Sequence, residues 1–178
     1  MDSTNPADSA DANRSTEPVV STDLGDVRGP IVAFDLGDRR IGVAVSDPEG
    51  RVAFGRDTVM RSGDTLPWRV LCAMIENEHA AGVVVGDPLH LDGSSGDRSR
   101  VSRAFAEELH TRCGLPVAMQ DERLTSVQAQ RELIAMRPTR GKKKRGDEDV
   151  DQVAAILILQ AWLDRRRSRS SSSGGVLP

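Results

Sequence analysis

Ile31-Val32-Ala33-Phe34-Asp35-Leu36-Gly37 is an apolar run closed by a carboxylate and a glycine. Four consecutive apolar residues suit a strand buried on both faces. An ionisable group at the end of such a strand costs several kcal/mol unless something pairs with it. A divalent cation is the usual partner, because hard cations take carboxylate oxygens. The turn Gly37-Asp38-Arg39-Arg40 then leads into Ile41-Gly42-Val43-Ala44-Val45-Ser46, a second strand. So short a connection permits only antiparallel pairing.

Working outward, Asp47-Pro48-Glu49-Gly50 reads as a turn, with Pro and Gly at the favoured first central and fourth positions. A weaker third strand covers 51–58. Residues 65–79 have helical apolar spacing at Leu66, Val70, Leu71, Met74 and Ile75. Ala81-Gly82-Val83-Val84-Val85-Gly86 reads as another buried strand, and 98–112 as a helix burying Val101, Phe105 and Leu109. A strand at 116–122 follows. Thr125 and Gln128 form a capping box for a helix to about Met136. A Gly/Lys-rich loop fills 137–146. A last helix, 149–165, turns Val150, Val153, Ala154, Leu157 and Ala161 inward. Three antiparallel strands followed by parallel crossovers predict an α/β fold with a mixed five-stranded sheet flanked by helices. That is the ribonuclease H-like layout.

The 178 residues suggest one domain. Residues 1–28 and 166–178 are polar, without apolar periodicity, and are expected to be disordered tails around a domain at 29–165. The net charge of −3 does not mark a nucleic-acid binder, but Lys142-Lys143-Lys144-Arg145 and Arg165-Arg166-Arg167 are basic clusters able to grip phosphates. With three Phe, two Trp and no Tyr, a stacking platform for single-stranded bases is excluded as the main mode of binding. Cys72 and Cys113 lack metal-ligand spacing and read as incidental thiols. There is no apolar leader and no stretch of membrane-spanning length, so a cytoplasmic protein is expected.

Two further acids share the setting of Asp35. Glu122 ends the strand at 116–122, and Asp151 lies in the first turn of the last helix, beside Ala154 and Ala155. Alternation sends Asp121 and Glu122 to opposite faces of the sheet, so only one of them reaches Asp35. The other is expected to pair with Arg123 or to cap a turn. Three carboxylates converging from two strand ends and a helix start suffice for a metal-assisted phosphodiesterase. The loop Gly86-Asp87-Pro88-Leu89-His90-Leu91-Asp92-Gly93 leaves the central strand at its C-terminal end, where ligands often bind. Its His90 reads as a surface residue. Arg98, at the start of the next helix, is placed to contact a phosphate.

Ala33-Phe34-Asp35-Leu36-Gly37, Val84-Val85-Gly86 with Pro88-Leu89 and Asp92-Gly93, Asp121-Glu122-Arg123-Leu124-Thr125, and Asp151-Gln152-Val153-Ala154-Ala155 follow one another in the order of a known family. Over residues 31 to 163 the chain resembles the RuvX/YqgF family of ribonuclease H-like nucleases. The resemblance implies a cytoplasmic nuclease proposed to process the 5′ end of pre-16S rRNA, also described as a Holliday junction resolvase. It implies Mg²⁺ or Mn²⁺ at Asp35, Glu122 and Asp151, and structured RNA or branched DNA as partner. Arg98, Arg123, Lys142, Lys143, Lys144 and Arg145 would contact nucleic acid. Junction resolution, which needs two paired incisions, would require a homodimer. His90 and Asp87 depart from the family pattern, at positions where Asn or Ser and an apolar residue are expected. Asp35-Leu36-Gly37 also fits the phosphate loop of actin-type ATPases. Those bind ATP between two such domains, and this chain has room for one. A non-catalytic nucleic-acid binder using the Lys142 loop is the remaining rival.

Overall fold

The computed structural model describes residues 20–63, 65–124 and 148–172. In chain order the elements are β1 (Val20–Ser21), β2 (Ile31–Leu36), β3 (Arg40–Ser46), β4 (Ala53–Met60), α1 (Trp68–Asn77), β5 (Gly82–Asp87), α2 (Asp97–Cys113), β6 (Val117–Asp121), a 3-10 turn (Glu122–Leu124) and α3 (Glu148–Ser172). The expected helix at 125–136, the loop carrying Lys142, Lys143, Lys144 and Arg145, and the side chain of Val150 lie outside the described residues.

The sheet runs β1-β6-β5-β2-β3-β4. β2, β3 and β4 form the antiparallel meander, and β2, β5 and β6 are parallel. This is the ribonuclease H-like arrangement, with one correction: the sheet has six strands, not five. The sixth is β1, which pairs in parallel with the outer edge of β6 through Val20↔Val117 and Ser21↔Ala118. Two residues cannot display a period of two, so no local pattern announces this strand. Long-range contacts hold its segment instead. Leu24 is buried, Arg169 pairs with Asp23 at 3.0 Å, and Arg166 donates to the Gly25 and Val27 carbonyls. Those arginines are in reach because α3 continues to Ser172, past the expected end at 165.

Alternation splits the core in two. Val32, Phe34, Val43, Val83, Val85 and Met119 face α1 and α2, where they meet Leu71, Ile75, Phe105 and Leu109. Ile31, Ala33, Ala44, Val84 and Ala118 face α3 and meet Ala155, Ile158, Leu159, Trp162 and Leu163. Small residues dominate the second face, so α3 comes unusually near. A Cβ on Gly55 would lie 2.6 Å from the Gln152 side chain, whose Nε2 donates to the Arg56 carbonyl at 2.9 Å.

Two helix positions differ from expectation. Val101 is 53% exposed and Val70 is 49% exposed. The buried stripe of α2 is Ser99, Ser102, Phe105, Ala106 and Leu109, with serines where an apolar pattern would be sought. Ser99 tolerates burial because its hydroxyl donates to Asp87 Oδ1 at 2.5 Å. α2 ends at Gly114, whose left-handed φ of 67° lets its N–H reach the His110 carbonyl at 2.8 Å. Among the described residues, no helix is long and apolar enough to cross a membrane.

Candidate active site

The parallel strands β2, β5 and β6 all end at one edge of the sheet, and α3 begins over it. Asp35 is the last residue but one of β2, on the α3 face by alternation from Ile31 and Ala33. Its antiparallel partner on β3 is Gly42. On the parallel side the last register pair is Phe34↔Val85, so Gly86 comes next along β5. Asp35 therefore sits between two glycines; the backbone of Asp151 fills one gap and the Glu122 carboxylate fills the other. A Cβ on Gly42 would collide with the Asp151 carbonyl of α3. A Cβ on Gly86 would lie 2.5 Å from Glu122 Oε1 and 2.8 Å from Ile158 Cδ1.

The electrostatics record the same convergence. Burial pushes the Asp35 carboxyl up to about 6, the Asp151 carboxylate adds to the rise, and Arg98 opposes it. Burial pushes Glu122 up to about 7, followed by the Asp35 carboxylate, again with Arg98 opposing. Asp35 thus feels both other acids, and Arg98 is the cation facing the group. Among the described residues, no three acidic, histidine or cysteine side chains approach at metal-ligand spacing. Burial and the neighbouring carboxylates together lift Asp35 and Glu122, and a bound cation would oppose both effects. On β6, a buried amide lies next to Gly86. Gln120, paired with Gly86 and 1% exposed, donates from Nε2 to the Asp121 carbonyl at 2.9 Å. Its Oε1 has no donor among the described residues.

These shifts set a pH dependence. Asp35 and Glu122 titrate near 6 and 7 in the folded protein, against ordinary values of 3.8 and 4.5. Between those limits the folded state binds more protons than the unfolded one, so stability falls as pH rises. The contribution is complete below about 4 and lost above about 7. The carboxylates held low by partners, Asp47, Glu78, Asp92 and Asp121, have the opposite sign and act at lower pH. In EDTA the melting temperature should therefore drop between pH 5 and pH 7.5. A melting temperature that climbs steadily across that interval would contradict the crowding.

Asp121 ends β6 and Glu122 opens the 3-10 turn after it, so the strand stops one residue short of the expected 122 and the two acids part at its end. The Arg123 guanidinium takes Asp121 at 2.7–3.1 Å, and Arg123 N–H donates to Asp121 Oδ1 at 2.9 Å. That pairing holds the Asp121 carboxyl below its usual range. Arg123 Nη1 also donates to the Leu91 carbonyl at 3.2 Å and packs over Gly93. Its guanidinium thus fastens the loop after β5 to the end of β6. Asp121→Asn should keep cleavage within about tenfold of wild type, while Glu122→Gln should lose more than about a hundredfold. Comparable losses in a single-turnover assay would reverse the assignment.

Arg98, in the first turn of α2, has a 68% exposed side chain and lies 3.9 Å from Asp38. His90 is exposed, as the sequence reading expects. Asp87 was not picked out as a structural residue by pattern. It is 2% exposed on the α2 face, and it accepts from Ser99 Oγ and from Arg103 Nη2 at 2.6 Å. An acid at the end of a buried strand was the available signal, the same one that marks Asp35. Here the partner is an arginine, which ties the start of α2, and so Arg98, to β5.

A sequence profile described as "RuvX: Holliday junction resolvase" matches residues 29–165. A Nitrobacter hamburgensis protein named "Putative pre-16S rRNA nuclease" is 44% identical over 127 residues, covering 71% of this chain and 76% of that one. A Rhodopseudomonas palustris (strain BisA53) protein of the same name is 40% identical over 138 residues, covering 78% and 83%. The Thermus thermophilus RuvC structure aligns with TM-score 0.48 and 14% identity, over 78% of this chain and 96% of that one. The profile match runs from before β2 into α3, taking in Asp35, Glu122 and Asp151 together, and so the chain belongs to the RuvX family.

Proposed function

We propose that this chain is a metal-dependent nuclease, hydrolysing phosphodiester bonds to process the 5′ end of pre-16S rRNA in the cytoplasm. The observation that carries the reading is the setting of Asp35 between Gly42 and Gly86, where the Asp151 backbone closes over one glycine, the Glu122 carboxylate over the other, and both acids act electrostatically with Asp35. Two curated relatives at 40–44% identity bear the pre-16S nuclease name, which supports the choice of substrate.

The donor set fits a hard divalent cation. It offers three carboxylates, two of them raised by burial and then by a neighbouring acid, and a buried amide oxygen without a donor among the described residues. Asp35, Glu122 and Asp151 would hold Mg²⁺ or Mn²⁺, which supplies Lewis acidity toward a phosphate and toward water. Arg98 would take a non-bridging phosphate oxygen beside the acids, and its solvent exposure leaves its donors free to do so. The Arg123–Asp121 pair would hold the loop after β5 at the rim of the substrate groove. Water is excluded from the inner side of the site by the Ala155 and Ile158 face of α3.

The description attached to the family profile favours a second reading, cleavage of four-way DNA junctions. The two readings differ in symmetry, since a resolvase needs two sites in a homodimer. Labelled four-way DNA junction and 5′-extended 16S precursor RNA should be compared with Mn²⁺. The rRNA reading expects cleavage of the RNA, loss of that cleavage in EDTA, and an intact junction. Symmetric paired nicks in the junction with an intact RNA would establish the resolvase instead. Activity persisting in EDTA would sink the metal mechanism for both.

A further inference from the structure

Cys72 and Cys113 are 41 positions apart in sequence, yet their sulfurs lie 3.1 Å apart. Cys72 is in the second turn of α1, and Cys113 is the last residue of α2. Both are half-buried, so small solutes reach them. Their surroundings hold the two helices in fixed relation. Trp68, one turn before Cys72, stacks on Phe105 of α2 at 5.4 Å, and the Arg112 guanidinium lies over the Trp68 ring at 4.9 Å. The cysteines close the end of this contact, on the face of the sheet opposite Asp35, Glu122 and Asp151.

We propose that Cys72 and Cys113 form a redox modification site, an intramolecular dithiol that closes to a disulfide linking α1 to α2 when met by a small-molecule disulfide oxidant. A covalent S–S bond is about 2.05 Å, so the sulfurs need to move together by only about 1 Å. Either sulfur can donate the S–H hydrogen bond between them. Burial, then the hydrogen bond to Cys72, push the Cys113 thiol up to about 12, so Cys113 is the poorer first nucleophile and the attack is assigned to Cys72. The Cys72 thiolate attacks an oxidant such as glutathione disulfide, forming a mixed disulfide and expelling one glutathione thiolate. Capping Cys72 removes its hydrogen bond and charge from beside Cys113. Cys113 then gives its proton to a solvent base, attacks the Cys72 sulfur and releases the second glutathione. The balance is two protein thiols and one glutathione disulfide giving one protein disulfide and two glutathiones. The bond closes a long loop, which lowers the entropy of the unfolded chain.

The test uses the full chain in buffers of varied glutathione ratio, quenched by alkylation and read by intact mass and peptide mass spectrometry. The expected product is a monomer lighter by two hydrogens, carrying a Cys72–Cys113 cross-linked peptide, with a melting temperature higher by roughly 5–10 °C. Cys113→Ser should instead accumulate the Cys72 mixed disulfide, because nothing resolves it. Dithiothreitol should return both thiols. Stable glutathione adducts on the wild type, disulfide-linked dimers, or two alkylatable thiols at every ratio would each overturn the proposal. Cleavage by the oxidised wild type should match that of the reduced form, since the bond lies across the sheet from the acids.

Discussion

Asp35→Asn should abolish cleavage while making the metal-free protein more stable. Asp35 is raised in part by Asp151 and itself raises Glu122, so removing its charge takes away the centre of the proposed metal site. Cleavage should fall by about a thousandfold or more, equivalent to about 4 kcal/mol of lost transition-state stabilisation. Stability moves the other way. The Asp35 carboxyl is pushed from 3.8 to about 6, and ionising it in the folded protein near pH 8 costs on the order of 3 kcal/mol. Asparagine has nearly the same shape and no charge. In EDTA at pH 8 its melting temperature should rise by roughly 5 °C, and the fall between pH 5 and 7.5 should shrink. Mg²⁺ should raise the melting temperature of the wild type and not of the variant. A variant less stable than wild type in EDTA, or equally stabilised by Mg²⁺, would mean that Asp35 is not crowded by Asp151 and Glu122.

Legibility in the sequence followed the range of the forces involved. β2, β3 and β5 carry their own signal, because continuous apolar runs between glycine and proline turns have few other ways to be buried. The acids were legible for the converse reason: a carboxylate ending a buried strand is costly, and cost marks a residue. β1 was invisible because its two residues are ordered by the free edge of β6 and by arginines about 145 positions away in α3. The stripe on α2 was misread at Val101 because Ser99 and Ser102 are buried through a buried acid, Asp87, which no periodicity reveals. The thiols of Cys72 and Cys113 meet only once α1 and α2 have docked. Gly42 and Gly86 stood in the motifs without a stated reason. The structure supplies it: Gly42 lets the first turn of α3 close onto β3 at the Asp151 backbone, and Gly86 leaves room for the Glu122 carboxylate.

That reason makes the glycines testable against each other. Gly42→Ala should cost about 3 kcal/mol of stability and at least about a hundredfold in cleavage. The new Cβ would strike the Asp151 carbonyl, lie 2.8 Å from its carbonyl carbon and 3.3 Å from Ala155 Cβ. These are atoms of a helix backbone and its short side chain, which cannot rotate aside. α3 cannot slide away as a unit either, since Val153, Ile158, Leu159, Trp162 and Leu163 are buried along its length. The strain must fall on its first turns, lifting Asp151 from Asp35. Gly86→Ala meets side-chain ends rather than backbone, the Glu122 carboxylate at 2.5 Å and the buried Ile158 Cδ1 at 2.8 Å. It should cost about 1 kcal/mol in stability, yet lose cleavage on the same scale as Gly42→Ala, because the displaced group is itself one of the three acids. Chemical denaturation and single-turnover cleavage of the two variants separate these effects. If Gly42→Ala proved as stable as wild type, α3 would not rest on β3 at that point. If Gly86→Ala cleaved normally, Glu122 would not work from the position it occupies over β5.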